Sequence, residues 1–154
     1  MLKYLFIFIF SILSSTHASS VDDLKNQTKE PLYFTIPIQS YEMVQKGKIN
    51  LKIQLPPSSI TVMTDRPYRQ KKTIKPSEFV DYIMENREKN LVFTLSIQKN
   101  GQPFLINFKM QNTLFSSDTN EIIFENIQIS KDVSDQLRKT KNTKGTNAVL
   151  IVEG

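Results

Sequence analysis

Asp65, Arg66 and Arg69 lie in the one stretch whose residue types suggest chemistry, Thr64-Asp65-Arg66-Pro67-Tyr68-Arg69. Five positive side chains fall between Arg66 and Lys75, namely Arg66, Arg69, Lys71, Lys72 and Lys75. Guanidinium forks match the geometry of carboxylates and phosphates, so the stretch suits an anion-binding or partner-docking corner. Pro67 fixes its own φ and biases Arg66 toward extended backbone. The competing and favoured reading is an internal clamp, in which Asp65 pairs with Arg66 or Arg69 and satisfies loop backbone.

The elements that must position this corner flank it. Ile60-Thr61-Val62-Met63 reads as a strand. Gln70 to Lys75 reads as a basic link into the best helix of the chain, which starts at Pro76. Proline suits the first helical position, and Glu78 suits the positive end of the helix dipole. Phe79, Val80, Ile83 and Met84 recur at helical spacing and form a core-facing stripe. Asn86-Arg87-Glu88-Lys89-Asn90 then ends the helix in solvent.

Most of the remaining chain has the period of a β-strand. Leu32 to Ile38 is strand-like, with Pro37 marking an edge, a bulge or a strand end. Tyr41 to Lys46 is a short strand or turn. Ile49-Asn50-Leu51-Lys52-Ile53-Gln54-Leu55 alternates apolar and polar residues, and pairing with Ile60 to Met63 around Pro56-Pro57 is expected. Asn100-Gly101 joins Leu91–Ile97 to Phe104–Met110 as a hairpin turn. Ile122 to Ile129 and Asn147 to Val152 supply the closing strands. Val133 and Leu137 define a short amphipathic helix in the lysine-rich segment from Ser130 to Thr146. The fold class expected is mainly β: an antiparallel β-sandwich or open barrel of six or seven strands, with one covering α-helix.

Composition narrows the chemistry. Lys3, the apolar run Leu5 to Leu13 and the small polar residues to Ala18 have the outline of a secretory signal peptide. Cleavage is expected after Ala18, or alternatively after Ser20. The division expected is residues 1–18 as signal, 19–30 as a flexible lead-in with one helical turn at Val21 to Leu24, and 31–154 as a single β-rich domain. The chain has no cysteine, no tryptophan and one histidine, His17, inside the signal segment. Thiol and Ser-His-Asp catalysis, disulfides, and zinc, copper or haem sites built on His or Cys are therefore excluded from the processed chain. Asp81, Glu85 and Glu88 fall on the polar face of the helix. No carboxylate pair suited to a hydrolase stands out.

The formal net charge is +5. A basic exterior suits an anionic envelope surface. Nucleic acid is not expected as a partner, because the chain is read as exported and lacks an aromatic-interleaved basic platform. No cofactor is expected, and no transmembrane span remains after processing. The leading function is an exported, non-enzymatic accessory or binding module of the cell envelope. It would dock a protein, peptide or anionic component through Asp65, Arg66, Pro67, Arg69, Lys71 and Lys72. The alternative is a β-barrel for a small apolar ligand, lined by some of the ten phenylalanines. A carboxylate-dependent hydrolase ranks third.

The stretch Val62 to Arg69, followed by Thr73-Ile74-Lys75-Pro76-Ser77-Glu78-Phe79-Val80, resembles a family of small exported bacterial proteins with a strand–DRPxR–helix core. The resemblance covers roughly residues 48–153. It implies export and a β-rich domain, and it implies no particular activity. The chain departs from that pattern at Asn86 to Asn90, which stand where the family often has a Pro-Asn-Ala turn.

If Asp65 is an internal anchor, Asp65→Ala should destabilise the protein by about 1–3 kcal/mol, the cost of stranding its polar partners. The arginine that faces it should behave alike in a melt, and the other should leave the midpoint unchanged. Denaturation of the Asp65, Arg66 and Arg69 alanine variants checks this, and three unchanged midpoints would refute it.

Overall fold

The computed structural model describes Val21, Leu24 and residues 31–58, 60–64, 70–140 and 144–154. In chain order the elements are β1 (Leu32–Ile38), β2 (Ser40–Lys46), β3 (Lys48–Gln54), β4 (Ile60–Thr64), β5 (Lys71–Ile74) and α1 (Pro76–Glu85). They continue with β6 (Val92–Lys99), β7 (Gln102–Lys109), β8 (Asn112–Ser116), β9 (Glu121–Glu125), β10 (Gln128–Ile129), α2 (Lys131–Thr140), β11 (Lys144–Gly145) and β12 (Ala148–Glu153). Val21 and Leu24 are both helical, and both are buried in the core.

Two antiparallel sheets result. The larger has seven strands in the order β10-β7-β6-β12-β1-β4-β5, and the smaller has five in the order β11-β2-β3-β9-β8. Successive side chains in a strand point to opposite faces, so residues in register across strands share a face. One such row on the larger sheet runs Val62, Phe34, Val152, Phe93 and Phe108. The next runs Ile36, Leu150, Leu95 and Ile106. Every residue in both rows is buried. On β3 and β9 the buried residues are Leu51, Ile53, Ile122 and Phe124.

The two sheets share one hairpin. Pairing of β7 with β10 and of β8 with β9 follows a single unbroken register, from Phe108 opposite Ile129 to Ser116 opposite Glu121. β7 and β8 are thus two halves of one bent arm, and β9 and β10 are two halves of the other. The bend falls at Met110-Gln111 and Asn126-Ile127. Asn126 takes a positive φ of 52° there, a conformation that asparagine tolerates better than most residues. Its backbone N–H donates to Asn50 Oδ1 at 2.9 Å, and the Ile127 N–H donates to the Ile49 carbonyl at 2.8 Å. Inside the bend, Phe93 and Phe108 of the larger sheet meet Phe124 of the smaller at centroid distances of 5.3 and 5.4 Å. Phe93 and Phe108 also stack on each other at 5.3 Å.

Helix α1 covers the other end of the larger sheet. Pro76 opens it, and the Glu78 carboxylate accepts the Lys75 N–H at 2.9 Å. Phe79 and Tyr82 sit against Phe34 at 5.3 and 4.7 Å between ring centroids. Helix α2 buries Leu137 and packs Val133 against the core.

The structure corrects several expectations. Among the described residues there are two ten-residue helices, the second being the short amphipathic segment marked by Val133 and Leu137, and twelve strands. β3 and β4 do not pair; they belong to different sheets. Pro56 and Pro57 offer no ladder donors, so the chain crosses between sheets there and does not turn back. The segment Ile122 to Ile129 is two strands, broken by the bend at Asn126. Lys71 to Ile74 is an edge strand and not a simple link. Met84 leaves the helix stripe with 39 % exposure, and Tyr82 takes its place in the core. Asn86 is buried and caps α1, its Nδ2 donating to the Tyr82 carbonyl at 2.7 Å. The Asn100-Gly101 turn is as read, with positive φ at both residues. Pro37 is the second-last residue of β1: it pairs with Val149 of β12 and lies beyond Thr35, the last residue of β1 that pairs with β4.

Phe124→Ala should cost about 3–5 kcal/mol in chemical denaturation, because it empties the ring contact between the sheets. Leu105→Ala, at a residue 55 % exposed, should stay within about 0.5 kcal/mol.

Candidate functional site

Asp65, Arg66, Pro67 and Arg69 lie outside the described residues, and the stem that carries them is well defined. β4 and β5 form an antiparallel pair, with Met63 opposite Lys71 and Val62 opposite Lys72. Above that pair the Thr64 N–H donates to the Gln70 carbonyl at 3.1 Å. The Gln70 N–H returns a bond to Thr64 Oγ1, also at 3.1 Å. Thr64 is buried, so this double bond closes the stem from the protein side. Residues 65–69 therefore connect the two strands of a hairpin at the edge of the seven-stranded sheet. Lys71 is exposed on the outer face, while Lys72 is half-buried, in register with buried Val62. The alternation that splits the two lysines is the ordinary period of a strand, which the reading of this segment as a link did not provide.

The outer face of the smaller sheet holds polar groups that sequence reasoning did not join. β2 and β3 place Glu42 opposite Lys52, and β11 places Lys144 opposite Glu42. Lys52 Nζ contacts Glu121 Oε2 at 2.8 Å. Charges of alternating sign thus cross four strands. The hydrogen bond that Lys52 donates to Glu121, and then the charge of that carboxylate, hold the Lys52 ammonium above its ordinary pKa; partial desolvation opposes this, and Glu42 adds a smaller push upward. These residues line an open groove of about 500 Å³ with Ser40, Tyr41 and Gln54. At its edge the Tyr41 ring lies over Gly145, where an added Cβ would come within 2.9 Å of the hydroxyl. Glycine is thus required for the ring to close over the short edge strand. Burial pushes the Tyr41 hydroxyl pKa up. The period-2 pattern of β3 already put Lys52 and Gln54 on its polar face. Their partners on β2, β9 and β11 depend on long-range pairing that no local pattern encodes.

A second open groove, of about 440 Å³, lies on the same sheet beside the hairpin bend. Its walls include the side-chain amides of Asn50, Gln111, Asn112 and Asn126. Asn112 Nδ2 donates to Glu125 Oε2 at 2.7 Å, and Asn126 Nδ2 donates to Gln111 Oε1.

Among the described residues no group of three or more His, Cys, Asp or Glu side chains is arranged to hold a metal ion. Among them, too, no helix is long and apolar enough to cross a membrane. In comparisons with protein-family models, curated proteins and solved structures, nothing matches this chain.

Thr64→Val keeps the shape of the stem and removes its hydroxyl acceptor. It should destabilise the protein by about 1–2 kcal/mol, and Thr64→Ser should restore most of the loss. Urea midpoints of the two variants test the stem directly.

Proposed function

We propose that the protein is an exported, non-enzymatic binding module of the cell envelope that docks an anionic component at the β4–β5 edge hairpin. The observation that carries this reading is the placement of the basic stretch. Residues 65–69 join two strands at a sheet edge, over a stem closed by Thr64 and Gln70, with Lys71 exposed beside them. The paired stem fixes the backbone of Lys71 beside this connection, which lowers the cost of ordering that cation on binding. Export rests on the signal-like residues 1–18, ahead of a single β-rich domain over residues 31–154, and on the resemblance of the Val62 to Val80 stretch to small exported proteins.

The fold is best read as a sandwich, bent over the shared hairpin, with α1 and α2 covering its ends. The ring contact of Phe93, Phe108 and Phe124 favours this over a hollow barrel for an apolar ligand, because aromatic side chains occupy the space between the sheets. The two larger grooves described above open on the outer face of the smaller sheet and not between the sheets.

Cosedimentation with phosphatidylglycerol vesicles, against phosphatidylcholine vesicles, tests the docking reading. The protein should bind the anionic vesicles and release them as salt rises. Reversing two charges with Arg69→Glu and Lys71→Glu should weaken binding at least about tenfold, and Lys71→Glu alone should weaken it with the melting midpoint little changed. Equal binding to both vesicle types, or no effect of the double variant, would overturn it.

A further inference from the structure

We infer that the groove beside the hairpin bend is a binding site for a neutral saccharide, separate from the basic hairpin. Its walls are dominated by carboxamides, which carry a donor and an acceptor on one rigid plane. A sugar hydroxyl likewise donates and accepts, so neighbouring hydroxyls match such planes. The internal bonds of the groove use one end of each amide and leave the other. Asn50 accepts from the Asn126 backbone through Oδ1, and Gln111 accepts from Asn126 through Oε1. Asn112 and Asn126 donate through Nδ2 to Glu125 and Gln111. Among the described residues this leaves Asn50 Nδ2 and Gln111 Nε2 as donors. Asn112 Oδ1, Asn126 Oδ1 and the second oxygen of Glu125 are left as acceptors. The amides are thus oriented before any ligand arrives, which lowers the cost of binding.

Charge selects against ionic ligands. Lys48 and Glu125 border the same groove, so an anion meets the carboxylate and a cation meets the ammonium. A neutral polyol meets no like charge. Val44, 39 % exposed, supplies an apolar spot for the C–H face of a sugar ring. An extended peptide fits less well. Peptides add to sheets through free edge backbone and apolar side-chain pockets; this groove reaches the edge strand β8 only at Asn112, otherwise runs across the face over β2, β3 and β9, and offers a single aliphatic side chain. The volume of about 440 Å³ falls within the range of small-ligand sites. The site lies on the five-stranded sheet and the basic hairpin on the seven-stranded one, so neither assignment depends on the other.

Titration of the isotope-labelled full chain with cellotriose, maltotriose and chitotriose tests the site, read from the side-chain amide resonances of Asn50 and Gln111. At least one sugar should shift both resonances saturably in the millimolar range. Asn112→Ala, an exposed position on an edge strand, should keep the remaining spectrum and weaken that sugar about fivefold, the effect of one lost hydrogen bond. Unmoved amides with all three sugars would overturn the inference, as would shifts that Asn112→Ala leaves unaltered. A capped polar peptide that shifts these amides where the sugars do not would overturn it in favour of a peptide groove.

Discussion

One hairpin belongs to both sheets, and its bend sets how the sheets face each other. The arms β7–β8 and β9–β10 stay in register through the bend, so the strands cannot slip without turning every side chain to the wrong face. Asn126 absorbs the turn by adopting a positive φ, and Asn50 on β3 accepts its amide hydrogen. The bend is therefore fastened to a third strand. With this angle fixed, Phe124 on one sheet reaches Phe93 and Phe108 on the other. Aromatic contacts of this kind stabilise beyond the area they bury, and the core rows of the larger sheet extend outward from this point. Phe34, two strands from Phe93 in the same row, passes the packing on to α1 through Phe79 and Tyr82.

Local patterns made much of this legible. Period-2 alternation marked β3 and the end of β6, apolar strand-like composition marked β1, Asn100-Gly101 marked the β6–β7 turn, and Pro76 marked the start of α1. Three features were not legible, for physical reasons. The crossing between β3 and β4 looks locally like a loose hairpin, because two prolines interrupt a tight turn and a change of sheet equally well. The bend inside Ile122 to Ile129 depends on one asparagine conformation that no apolar period signals. Asn86 and Met84 exchange their expected environments because the helix cap, with its bond to the Tyr82 carbonyl, draws a polar residue inward. At the candidate site, the sequence placed a basic run after a strand and left open that Lys71 and Lys72 would part to opposite faces of a second strand.

The sheet edges explain why the basic residues lie where they do. An exposed edge is a template for unwanted pairing, and short strands or lysines blunt it. β10 and β11 are two residues each. β5 carries Lys71 and Lys72 along its length. β8 has no charge, but its Thr113 is buried and its hydroxyl donates to Met110 Sδ at 3.0 Å. Protection of an edge would by itself account for lysines on β5. It does not by itself account for Arg66 and Arg69, which lie in sequence between β4 and β5.

The polar outer face of the smaller sheet divides in the same way. Along Lys144, Glu42, Lys52 and Glu121 the charges alternate, and Lys52 and Glu121 form an ion pair, as cross-strand neighbours commonly do on a solvated face. Such a row stabilises modestly and asks for no ligand. Beside the bend the pattern changes to carboxamides, which add little to strand pairing and are poor strand formers in the case of asparagine. Asn126 is accounted for by its backbone conformation, and Asn50 by the bond it accepts from Asn126. Gln111 and Asn112 have no comparable duty in the fold: each bonds one neighbour at the surface and lines the groove. A fold that needed only solubility at this corner would be served as well by lysine or glutamate, so the choice of amides at these two positions distinguishes the groove from the ion-paired row beside it.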